Sequence, residues 1–249
     1  QYGAGMDHLC EQVNGCTGTP LDAPTLFLNE RKYTGVLPDG IIINQRKERT
    51  PCATFQTKDD IYKHINAKTQ ILIDPTQQLE SSSEQFAKDF LVKVTSKNKT
   101  MKWVMYYNDS SMLNALDING NKIALDHTEY NYLIKKLDCD ESQWCIIMDA
   151  GRSRGCDIVL ANDAHAILIG SPHLEYSMTL QAIGRCRKGE TQEMTILLTM
   201  SMAKDLNNKL EFMDLLNWLI EKEDSSRVAR YDKATQQRAI ENKRDSILD

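Results

Sequence analysis

The chain has 249 residues, of which 41% are hydrophobic and 26% charged, with a formal net charge of −5. That is the composition of a soluble globular protein with one large domain, or one domain with appendages, and no apolar run approaches the roughly 20 residues needed to span a bilayer. The acidic balance weighs against autonomous, tight nucleic-acid binding, which draws on an excess of lysine and arginine at phosphates, but it leaves room for a local basic groove in a larger assembly.

The chain opens on Gln1 without an initiator methionine or a signal peptide, so it is expected to be a piece of something longer. Seven cysteines (Cys10, Cys16, Cys52, Cys139, Cys145, Cys156 and Cys186) show no CxxC spacing. An odd, scattered set fits reduced thiols in a cytoplasmic setting better than a disulfide framework. No spacing of histidine, cysteine or carboxylate suggests a metal site, and no Cys–His protease signature is present.

In chain order, Thr17-Gly18-Thr19-Pro20 reads first as a glycine–proline turn. Thr25 to Leu28 and Gly40 to Ile43 read as short strands, Arg46 to Arg49 as a solvated basic loop, and Asp59 to Ala67 as a short helix. From residue 70 the order becomes regular. Ile71-Leu72-Ile73 is a buried strand ending at Asp74-Pro75. Ser83 caps a helix in which Phe86, Phe90 and Val94 recur at four-residue spacing. Trp103 to Tyr107 is the next strand. Asn119-Gly120, between Leu116-Asp117-Ile118 and Ile123-Ala124-Leu125, marks a hairpin. Asp126 is expected to cap a helix carrying Tyr130, Leu133, Ile134 and Leu137 on one face. Cys145 to Met148, His165 to Ile169 and Met194 to Leu198 are strands, and a helix around Met178 to Cys186 separates the last two. Strands alternating with helices predict an α/β fold with a mainly parallel sheet and helices on both faces. Beyond Ser201, Leu206, Leu210, Met213, Leu216 and Ile220 form a helical stripe, expected to dock on the sheet. Arg227 to Leu248 reads as a long polar segment with little apolar face, expected to project into solvent, to contact another part of the protein or to be partly disordered, with nucleic acid as a further partner.

The sharpest signal is Arg154-Gly155-Cys156-Asp157 after one apolar run, followed after a second by Gln181-Ala182-Ile183-Gly184-Arg185-Cys186-Arg187-Lys188. Together they resemble motifs V and VI of superfamily-two helicases and translocases, which belong to the second RecA-like lobe of the motor. Thr17 to Pro20 resembles that superfamily's motif III, and the Trp103 to Tyr107 strand corresponds in order to its motif IV strand. The resemblance implies a RecA-like lobe over residues 70–200. Residues 1–69 would hold the tail of the first lobe and a linker, and residues 201–249 a C-terminal helical extension. It also implies roles. Arg154, Gly155 and Asp157 would couple nucleotide to nucleic acid. Gln181, Gly184, Arg185, Arg187 and Lys188 would face the γ-phosphate of ATP, where placed positive charge stabilises phosphoryl transfer.

Two departures stand out. Lys188 occupies the position at which the family's pattern has a second arginine, and Asp149 lies where a threonine often opens motif V. Arg187 is expected to supply the second cation, because a guanidinium holds two phosphate oxygens and an ammonium does not. That choice requires the helix to end near Cys186, with Gly189 as its C-terminal cap. No GxxxxGK[ST] phosphate loop occurs in the chain, and Asp140-Glu141 sits too late to be the family's metal-binding pair. ATP and Mg²⁺ would therefore bind only with a first lobe from another segment. The expected function is the C-terminal lobe of a nucleic-acid-dependent ATPase, inactive by itself. The alternative is an inert helicase-like module that binds protein partners through its C-terminal helices.

Overall fold

The computed structural model describes residues 49–149, 158–186, 191–223 and 225. The chain is α/β. Its described residues build an eight-stranded sheet from β1 (Cys52–Phe55), β2 (Thr69–Asp74), β3 (Trp103–Tyr107), β4 (Leu113–Asp117), β5 (Lys122–Leu125), β6 (Trp144–Asp149), β7 (His165–Gly170) and β8 (Glu193–Thr199), in the order β1-β8-β7-β2-β6-β3-β4-β5. The first six in that order are parallel, and β4 and β5 extend the sheet antiparallel. The helices between them are α1 (Lys58–Lys63), α2 (Glu84–Lys97), α3 (Tyr130–Leu137), α4 (Tyr176–Ile183) and α5 (Met200–Asp205). β1 pairs with β8, so the sheet begins ahead of residue 70.

Strand composition explains the order. Every residue of β2 and of β7 is buried, as central parallel strands covered on both faces require. β5 is four residues long and largely open, with Lys122 exposed, which blunts the edge against pairing with another chain. Alternation along the strands separates two cores. Ile71, Ile73, Ile146, Met148, Ala166 and Leu168 face one way. Leu72, Cys145, Ile147, Ile167 and Ile169 face the other, against Phe86, Phe90, Leu91 and Val94 of α2. Each such Leu, Ile or Phe contributes about 1.5–3 kcal/mol by leaving water.

Local chemistry sets the ends. Ser83 Oγ accepts the Phe86 amide at 3.4 Å and starts α2 where expected. The predicted hairpin is present. Asp117 accepts the amides of Asn119 and Asn121 at 2.9 and 2.7 Å, and Gly120 sits at φ +89°, where a side chain would be strained.

Other expectations need correction. The helix expected over 59–67 stops at Lys63. The Asn66 amide donates to Thr69 Oγ1 and the Asn66 side chain accepts from Lys68, which turns the chain into β2 instead. Asp126 does not cap α3. That helix begins after Glu129 without a side-chain cap, and the Asp126 carboxylate accepts from Tyr132 Oη at 3.1 Å. The stripe beyond Ser201 is not one helix. Asn207 and Asn208 both adopt left-handed backbone, and a second helix runs over 212–223. Its buried face is Phe212, Leu215, Leu216 and Leu219, while Met213 and Ile220 are exposed. It shares the apolar cluster of the α4 face, so the C-terminal helices do dock on the sheet. Among the described residues no helix is long and apolar enough to cross a membrane.

Candidate functional site

In open α/β sheets, ligands bind beyond the carboxyl ends of strands, where neighbouring strands send their connections to opposite faces. Here that point lies between β2 and β7, which are adjacent. β2 leads into α2 on one face, and β7 leads into α4 on the other. β6, on the far side of β2, ends at Asp149 and leads directly into residues 150–157, which hold Arg154, Gly155 and Asp157 and lie outside the described residues.

Asp74 and Asp149 are register partners at the ends of β2 and β6. Asp74 is fully buried. Its carboxylate accepts the amides of Gln78 at 2.9 Å and Leu79 at 2.8 Å, which folds the β2–α2 loop back over the strand end. Burial raises its pKa to about 6; the Asp149 charge adds to the rise, and the backbone hydrogen bonds oppose it. Thr76 Oγ1 beside it is buried without a partner. This corner of the crevice is acidic. By itself it repels phosphate, so a bound polyphosphate would need arginines from elsewhere to offset it.

α4 supplies the rest. The β7–α4 loop spans 171–175, and about one and a half turns of helix then precede Gln181, so motif VI is not itself a strand-end loop. Gln181 is half-buried, and its Oε1 is shielded without a hydrogen-bond partner. Ile183 is the last helical residue and Gly184 the C-cap, in place of the expected Gly189. The amides of Arg185 and Cys186 then donate to Ala182 and Ile183 at 3.1 and 3.0 Å, a tightened last turn. The α-helical phase therefore stops at Ile183, and Arg185 and Cys186 follow in the tightened turn. Arg185 is only 3% exposed and makes interactions of its own within the fold. Arg187, Lys188 and Gly189 lie outside the described residues, as do Thr17 to Pro20, the strands expected at 25–28 and 40–43, and Arg227 to Leu248.

No protein family, curated protein or solved structure matches the chain. The site thus rests on its own chemistry.

Other chemistry-bearing groups have structural duties. Asp140 accepts the Ser142 amide in a capping box, and Glu141 accepts from Tyr130 Oη at 2.7 Å. Cys52, Cys139, Cys145 and Cys186 are outside any disulfide. Burial raises Cys52 to about 12 and Cys139 to about 11, and it raises Cys145 as well, so these three stay protonated at neutral pH and make poor nucleophiles. No group of metal-ligating side chains occurs among the described residues.

At the opposite, amino edge of the sheet, a cavity of about 570 Å³ is lined by Arg49, His64, Asn66, His165, Glu193 and Thr195 among others. His165 is committed there: its Nδ1 and Nε2 each lie 2.9 Å from a threonine hydroxyl, Thr69 and Thr195, tying β2, β7 and β8 together. Burial lowers its pKa to about 4, with His64 contributing.

Sequence reasoning missed Asp74, His165 and the contacts of Lys222 and Glu223 described below. Asp74 had a readable signal, an acid closing the apolar run Ile71-Leu72-Ile73. The others had none, because their partners lie far away in sequence.

Proposed function

We propose that this chain is the second RecA-like lobe of a superfamily-two helicase or translocase-like ATPase, working in the cytoplasm with ATP, Mg²⁺ and nucleic acid. A first lobe from another segment would supply the phosphate loop and the metal ligands. The observation that carries the reading is topological. β6, a central parallel strand whose carboxyl end lies next to the switch point, is the described element that immediately precedes the Arg-Gly-x-Asp segment in the sequence, and nucleotide-handling loops belong beyond such strand ends. Support also comes from α4, which ends at Ile183 with Gly184 as its C-cap, so that Arg185 is not held in its α-helical register.

A second reading is favoured by one specific observation. Arg185 is buried, whereas an arginine that meets a phosphate across a cleft must present its guanidinium to that cleft. An inert helicase-like module that binds proteins would keep such a residue for packing. In the intact protein, Arg185→Ala is expected to lower ATP turnover by roughly 10³-fold or more, and Arg187→Ala to lower it further than Lys188→Ala. Unchanged turnover in all three variants would hand the reading to the protein-binding module.

A further inference from the structure

α4 begins without a cap of its own. Glu175, its N-cap residue, makes no side-chain hydrogen bond to the first-turn amides, although those amides have no partner within the helix. The partner comes from 46 residues downstream. Glu223 Oε1, on the helix over 212–223, accepts the amide of Ser177 at 3.3 Å. One residue earlier, Lys222 Nζ donates to the carbonyls of Pro172 and of Leu174, the latter at 3.2 Å. Its ammonium also lies 5.0 Å from the centre of the Trp218 ring. A carboxylate against helix amides and an ammonium against loop carbonyls are each charge-assisted contacts of the right sign. Below them, Leu215, Leu216 and Leu219 share one apolar cluster with Leu174, Leu180 and Ile183.

We infer that the helix over 212–223 is a control element for Arg185: by clamping the β7–α4 loop and capping α4 from outside, it holds α4 in the position that buries Arg185. Lys222 and Glu223 are positioning residues, acting through α4. Two states follow. With the helix docked, Arg185 is inaccessible; with the clamp released, α4 shifts or frays and the guanidinium becomes available. Because coupling is reciprocal, a ligand that engages Arg185 weakens the docking of 212–223, and a partner that draws this helix away exposes the arginine. The meaning of that exposure for phosphate chemistry rests on the ATPase reading above; the coupling itself does not.

The test uses the 249-residue chain without nucleotide. Amide hydrogen exchange is followed at 176–186 and, as internal reference, in β2 and β6. Accessibility of Arg185 is followed by labelling with a 1,2-dicarbonyl, with exposed Arg49 as reference. In the Lys222→Met, Glu223→Ala double variant, exchange at 176–186 and labelling of Arg185 both rise, by roughly fivefold to tenfold as loss of a helix cap implies, while β2 and β6 stay protected. Glu223→Gln keeps an acceptor oxygen and stays within about twofold of the parent, on the same hydrogen-bonding argument. Lys222→Met alone serves should the double variant fail to fold. The inference is overturned if exchange rises only in the first turn of α4, if labelling of Arg185 does not change, or if β2 and β6 lose protection in step. An inactive intact protein would remove the ATPase reading and leave these outcomes untouched.

Discussion

Asp74 and His165 are buried titratable groups whose pKa values move in opposite senses from their ordinary values, and the physics of each is testable. Asp74 is raised from 3.8 to about 6, so the native state prefers it protonated, and its ionisation costs stability as pH rises from about 4 to 6. His165 is lowered from 6.5 to about 4, so the native state prefers it neutral, and stability is lost as pH falls through that interval. Each shift is worth about 3 kcal/mol, and the two nearly cancel in the wild type between pH 4 and 6.5. Separate substitutions should expose them. Relative to wild type, Asp74→Asn should lose about 3 kcal/mol between pH 7 and pH 4, and His165→Gln should gain a similar amount, by denaturant titration at each pH. Differences that do not change with pH would show that neither group is perturbed. Gly170 offers a steric test at the same scale. A Cβ there would lie 2.8 Å from Leu198 Cδ2 and 3.3 Å from Leu174 Cδ2, both on fully buried side chains. Gly170→Ala should cost about 1–3 kcal/mol, and a variant as stable as its parent would mean that the strand end gives way easily.

Among the elements, the helix over 212–223 separates two readings of one sequence. Apolar spacing beyond Ser201 selects Met213 and Ile220 as buried positions, yet both are exposed, and Leu215 and Leu219 are fully buried in their place. Asn207 and Asn208, both left-handed, end the first helical run and reset the phase of the second. Leu215→Ala should therefore cost about 2–5 kcal/mol by removing packed methyl groups from the core, whereas Met213→Ala should stay within about 0.5 kcal/mol. Equal losses on thermal or chemical unfolding would restore the single-helix stripe. The break was hard to read because asparagine tolerates both the helix interior and the left-handed region, and only docking against the sheet selects between them.

On the scale of the whole molecule, the ATPase reading predicts that the isolated chain shows no steady-state ATP turnover, since neither a phosphate loop nor the metal-binding pair occurs in it. Turnover by the purified chain that disappears on Arg185→Ala would overturn that expectation. Much of the architecture was legible beforehand. The Trp103–Tyr107 strand, the Ser83-capped helix and the hairpin at Asn119-Gly120 all follow from local patterns, because alternation, capping and turn chemistry act over a few residues. Strands alternating with helices likewise implied a parallel sheet. The strand order was not legible. Nothing local sets β2 between β6 and β7, and that order alone makes the crevice and pairs Asp74 with Asp149. Nor could spacing show that Arg185 is buried, or that Glu223 caps a helix 46 residues earlier in the chain. Such contacts come from packing helices distant in sequence against one another on the same sheet face. Their energies belong to pairs of residues distant in sequence, so no periodicity within either segment records them.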